Sequence, residues 1–153
     1  MERHLVEILL IEDNPYEAEL TIRNLKKYNL ANKLLHIDDG AEAIDFIFSK
    51  NKYADSDSYF RPKLILLDLK LPRVDGLEIL RQIRNNDQTK EFPVVILTSS
   101  NEEKDIVESY KLGVNSFIVK PVNFESFANA IMEIGLYWMI LNQIPPFQNK
   151  TIT

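Results

Sequence analysis

Five side chains of this chain of 153 residues could act together on a charged group: Glu12, Asp13, Asp68, Thr98 and Lys120. Each follows an apolar run. Val6 to Ile11 leads into Glu12-Asp13, Lys63 to Leu67 into Asp68, Pro93 to Leu97 into Thr98, and Ser116 to Val119 into Lys120. Taken singly, an acid, a hydroxyl or a lysine beyond such a run is more often a turn cap or a solvated group than a catalyst, and Asp68 could simply cap its own loop. Taken together they place three carboxylates, one hydroxyl and one ammonium around a single crevice. Clustered carboxylates repel and call for a cation, and oxygen-only ligands favour hard Mg2+ that keeps some of its waters. A hydroxyl and a lysine beside a metal-bound carboxylate suit a tetrahedral anion of spread charge, which a phosphoryl group supplies. The residues by themselves point to a Mg2+-dependent phosphoryl site.

The elements that must position these groups are legible in the same runs. Continuous apolar stretches without alternation are strands buried on both faces, as in the middle of a parallel sheet. Pro72 cannot continue a ladder, so the central strand ends near Asp68. An open parallel sheet binds ligands beyond the carboxyl ends of its strands, where all five side chains fall. Asn14-Pro15 starts a first helix as cap and first-turn proline, with Ala18, Ile22 and Leu25 on one stripe and Lys26 and Lys27 closing it. Lys33 to Ile37 is a shorter strand, and Asp38-Asp39-Gly40 turns into a helix with Ala43, Ile44, Ile47 and Phe48 inward. Positions 49–62 are polar and read as a surface loop. Asp75-Gly76 opens a third helix, in which Gly76 reads as a residue of special backbone conformation. Glu102 to Leu112 is a fourth helix, stopped by Gly113. The last helix is expected from Phe124 to Leu141, and 147–153 reads as a frayed tail. Strands alternating with helices imply right-handed βαβ units and one doubly wound α/β domain of five parallel strands, with a core of about 6–142 and a tail over 143–153.

Composition narrows the function. No apolar run approaches the roughly 20 residues of a membrane span. There is no cysteine, which excludes thiolate metal sites and cysteine nucleophiles and fits a cytoplasmic protein. With two histidines, a histidine metal site or a serine–histidine triad is not expected. A net charge of −5 without a basic block argues against DNA as the direct partner.

Glu12-Asp13, Asp68 with Pro72 and Asp75-Gly76, Thr98, and Phe117 with Lys120-Pro121 resemble the receiver domain of two-component response regulators, in order and spacing, from about Val6 to Leu141. The loop over 49–62 and the aromatic-rich last helix are most similar to the small regulators partnered with bacterial phytochromes. The resemblance implies a flavodoxin-like sheet of order 2-1-3-4-5. It implies that Asp68 accepts a phosphoryl group from the phosphohistidine of a sensor histidine kinase. Asp13 and Asp68 then ligate Mg2+ directly with the backbone carbonyl of Lys70, and Glu12 acts largely through metal-bound water. Lys120 pairs with one phosphoryl oxygen, Thr98 swings in to bond another, and Phe117 is the aromatic that turns inward with it. Read alone, a Phe at position 117 is more often core packing than a switch. The resemblance also implies a cis peptide at Lys120-Pro121.

The expected function is therefore a stand-alone signalling receiver acting on a downstream protein target, a phosphoacceptor rather than a metabolic enzyme. Lys70 and Ser100 flank the path of a hydrolytic water and neither is an obvious base, so slow autodephosphorylation is expected. A receiver-shaped binding module independent of phosphorylation is a second reading. A small phosphatase of the haloacid dehalogenase type is a third, but Lys70 stands where such enzymes usually place a second acid. The last helix carries apolar residues on more than one face. Ile131, Ile134 and Trp138 can cover the sheet, which leaves Leu136, Tyr137, Met139 and Ile140 for a homodimer contact.

Overall fold

The structure, a computed structural model, describes residues 2–54 and 59–146. Five strands run parallel in one sheet of order β2-β1-β3-β4-β5: β1 Ile8–Ile11, β2 Leu34–Ile37, β3 Leu64–Leu67, β4 Val94–Thr98 and β5 Ser116–Val119. Every residue of β1, β3 and β4 is buried, as the unalternating apolar runs require of central strands. The helices are α1 Pro15–Lys27, α2 Gly40–Phe48, α3 Gly76–Arg84, α4 Glu103–Lys111 and α5 Phe124–Leu136.

The two faces of the sheet have separate cores. On one, Leu9, Ile11, Ile65, Leu67 and Ile96 pack with Ala43, Phe46 and Ile47 of α2 and Ile79, Leu80 and Ile83 of α3. On the other, Ile8, Leu10, Leu64, Leu66 and Val95 pack with Ala18 and Leu25 of α1 and Phe127, Ile131 and Ile134 of α5. Alternate residues of each strand serve opposite faces, the period-two rule for a pleated ribbon.

Four helices begin with the same device. The side chains of Asn14, Asp39, Asp75 and Asn123 each accept a hydrogen bond from a backbone N–H of the first turn of α1, α2, α3 and α5. Gly76 has a different reason from the one its sequence suggests. Its φ is not positive. A Cβ there would lie 2.4 Å from the Asp68 carbonyl oxygen and 2.7 Å from Leu69 Cα. The start of α3 therefore presses on the backbone at the end of β3, and only glycine fits.

Two expectations are corrected. The polar loop over 49–62 holds a short 3-10 turn, Asn51–Tyr53, and a core residue. Phe60 is buried and sits edge-on to Phe46 at 5.0 Å and to Phe92 at 5.5 Å. A lone aromatic in a polar stretch has no periodicity to reveal it. The last helix leaves α geometry at Leu136 and continues as a π-helical turn, Tyr137–Leu141. The wider turn changes the phase of the stripe, and both Trp138 and Met139 pack on the second core, so Met139 is not among the unpartnered residues. The expected tail over 147–153 lies outside the described residues.

Candidate functional site

β1, β3, β4 and the segment after β5 bring four of the expected residues to one point. The ladder runs one step past each strand. Glu12 N–H donates to the Ile37 carbonyl at 3.1 Å, Asp68 N–H to Ile11 at 3.0 Å, and Lys120 N–H to Thr98 at 2.7 Å. Backbone pairing thus sets where these side chains emerge, and all four are buried: Glu12, Asp68, Thr98 and Lys120.

Asp68 is bonded at both oxygens. Its Oδ1 accepts the Thr98 hydroxyl at 2.7 Å and the Lys70 backbone N–H at 3.4 Å, and its Oδ2 accepts Lys120 Nζ at 3.0 Å. Thr98 is therefore already turned toward Asp68. Lys120 Nζ also donates to Glu12 Oε1 at 2.5 Å and to Glu17 Oε2. The Lys120–Pro121 bond is not cis; there is no cis peptide among the described residues. Trans is the lower-energy form even before proline, by about 0.5–1 kcal/mol.

The electrostatics follow from burial and company. Desolvation works to raise the pKa of Asp68, but hydrogen bonds with Glu12 and Thr98 and the Lys120 charge bring it below the usual carboxylate value. Desolvation and a hydrogen bond to Asp68 raise Glu12 to about 8, against the pull of Lys120. Two carboxylates share a site, and one retains its proton so that the other can ionise. Burial alone would lower Lys120; its bonds to Glu12 and Glu17 raise it instead, so it stays an ammonium.

The other expected residues lie around this point rather than in it. Asp13 is exposed and lines an adjoining cavity of about 440 Å3 with Lys70, Leu71, Asp75 and Asp105. Ser100 Oγ donates to Asp105 Oδ2 at 2.6 Å on the same side. Phe117 is half-buried on the edge strand β5 and packs on the α2–α3 core, not in the crevice. Glu17 was not expected at all. It stands three residues after the Asn14 cap, where a glutamate reads as the second half of a capping box, but its carboxylate reaches Lys120 instead. The only signal in the sequence is that it lies in the first turn of a helix starting at the ligand end of the sheet.

The donor set suits a hard divalent cation. One carboxylate oxygen each from Glu12, Glu17 and Asp68 lie within 4.8 Å of one another, with no sulfur or imidazole among them.

Comparison with known proteins bears on the family and the fold. Residues 8–132 match the family model of the response regulator receiver domain. The chain is 36% identical over 138 residues to the response regulator Rcp1 of Synechocystis sp., covering 90% of this chain and 92% of Rcp1. The Mn2+-bound form of Rcp1 superposes with a TM-score of 0.84 at 35% identity, over 92% of this chain and 99% of that one. The phosphorylated cyanobacterial phytochrome response regulator RcpA gives 0.84 at 34% identity, with the same coverage of 92% and 99%. The bacteriophytochrome response regulator AtBRR is 48% identical with a TM-score of 0.69, over 91% of this chain and 99% of that one.

Proposed function

Because this chain belongs to the response regulator receiver family, we propose that Asp68 is its phosphoacceptor and that Glu12, Asp13, Asp68 and the Lys70 carbonyl hold Mg2+. In the transfer, an Asp68 oxygen attacks phosphorus as the P–N bond of a kinase phosphohistidine breaks. A P–O bond forms and the imidazole leaves. Bound Mg2+ would offset the repulsion between these carboxylates and the incoming phosphate. The observation that carries the reading is the state of Asp68. It is buried yet kept ionised, with Thr98 and Lys120 already bonded to its two oxygens. Those two groups sit where the oxygens of an added phosphoryl group would need a hydroxyl and an ammonium. Phe117, half-buried on β5 next to β4, is the aromatic whose repacking carries the change to the surface.

Receiver domains of this family work with sensor histidine kinases. The names of RcpA and AtBRR support a kinase of phytochrome type for this chain, and hence a place in the cytoplasm beside it. The output is a downstream protein target read by this domain's own surface, in a homodimer built on the C-terminal helix.

The test is phosphorylation by acetyl phosphate. With Mg2+ the protein gains one phosphoryl group that hydroxylamine removes, and chelating the metal stops the reaction. Asp68→Asn abolishes the mass increase. An Asn variant that is phosphorylated as well as wild type would overturn the assignment.

A further inference from the structure

Glu17 belongs to the same carboxylate cluster but is not among the Mg2+ ligands proposed above, and it touches Lys120, a buried cation. An ammonium has three N–H donors. Those of Lys120 are directed at Glu12, Glu17 and Asp68, and its side chain is 4% exposed. Two of these three partners, Glu12 and Asp68, are among the ligands proposed above. A cation taking both would strip a buried ammonium of two of its three acceptors, including the Asp68 charge, and an unpaired buried charge strongly opposes such an exchange.

Glu17 is placed differently. It belongs to α1, its backbone N–H is held by Asn14 Oδ1 at 3.1 Å, and its carbonyl accepts the Thr21 hydroxyl at 2.9 Å. Its carboxylate therefore projects from a fixed first turn toward Lys120. We propose that Glu17 is a positioning residue for Lys120, the anchor that keeps the ammonium paired beside Asp68 when Mg2+ takes over Glu12 and Asp68. This rests on the reading that Mg2+ binds in the crevice. In this role Glu17 lowers the cost of cation entry and keeps Lys120 within reach of a phosphoryl oxygen added to Asp68.

The test is calorimetric titration of Mg2+ alone into wild type, E17Q, E17D, K120M and the E17Q/K120M double variant, each first shown to melt cooperatively. Loss of the anchor in E17Q weakens Mg2+ binding by about two- to fivefold, the range of one partly exposed ion pair. E17D, with the charge retained but drawn back by one methylene, recovers part of the loss. Because Glu17 acts through Lys120, adding E17Q to K120M has a clearly smaller effect than E17Q alone. An E17Q variant that binds Mg2+ like wild type overturns the anchor while leaving the metal site standing. An equal loss in both backgrounds also overturns it, since Glu17 would then act directly on the metal. Wild type that binds no Mg2+ overturns the anchor together with the reading beneath it.

Discussion

At the scale of single residues, the crevice has two titration properties that can be measured. Glu12 is raised to about 8, so near pH 7 the metal-free protein holds a proton there that the unfolded chain does not. Protons bound more tightly by the folded state stabilise it. This contribution is complete below the unfolded carboxylate range and is lost as pH rises through about 8. The melting temperature of metal-free protein should therefore fall between about pH 5 and 8 by more than that of Glu12→Gln. Asp68 has the opposite sign; its contribution is present above the ordinary carboxylate pKa and disappears only in acid. A ligating carboxylate must lose its proton, so Mg2+ binding at pH 7 should release close to one proton, read from binding heats in buffers of different ionisation enthalpy. A second residue-scale expectation concerns lifetime. Ser100 is committed to Asp105, and Lys70 is exposed on the surface, so neither is positioned as a base for water near Asp68. Autodephosphorylation should be slow, and Lys70→Asn or Ser100→Ala should change the decay rate. Identical decay in both variants counts against this.

At the scale of elements, Phe60, which lies between α2 and β3, belongs to the core rather than to a tether. Phe60 joins Phe46 of α2 to Phe92 ahead of β4, so one aromatic in a polar stretch ties together two crossovers. Phe60→Ala should cost about 3–5 kcal/mol, the usual range for a buried Phe, since the surrounding strands are too constrained to collapse into the space. Urea midpoints measure it, and a loss below about 1 kcal/mol would mean that the loop is dispensable. The phosphorylation reaction should survive in the folded variant, because Phe60 precedes β3 and Asp68 follows it, at opposite ends of the strand.

For the molecule as a whole, the C-terminal helix is where an assembly would form. With Trp138 and Met139 of the π turn partly buried against the second core, Leu136, Tyr137, Ile140 and Leu141 remain exposed, Ile140 by 58% and Leu141 by 69%. The chain beyond them does not lie back over this row as far as it is described. Ile144 and Pro145 instead line a small cleft with Arg61, Phe92 and Pro93, where the Pro145 carbonyl accepts from Arg61 at 2.6 Å. Apolar rows of this kind on a globular domain mark contact surfaces, and two-fold pairing of like helices is the simplest closed arrangement. Wild type should sediment as a dimer at micromolar concentration and a Tyr137→Asp, Ile140→Asp variant as a monomer. Monomers in both cases, with and without phosphorylation, would remove the interface.

While the strand order came through the family resemblance, the sequence by itself determined the five parallel strands and the arrival of Glu12, Asp68, Thr98 and Lys120 at one edge. These are local patterns, apolar runs ending in a polar residue, and a doubly wound sheet leaves such endings only one place to meet. Only the tertiary structure decided that Glu17 shares Lys120 while Asp13 faces the neighbouring cavity. It alone showed that Phe60 is core, that Met139 is covered, that Gly76 is required by contact with Asp68 rather than by its own dihedral, and that Lys120–Pro121 is trans. Each depends on atoms brought together from distant parts of the chain, or on one bond whose two forms differ by about 1 kcal/mol. Periodicity assigns a residue to a face, but not to the partner it meets there.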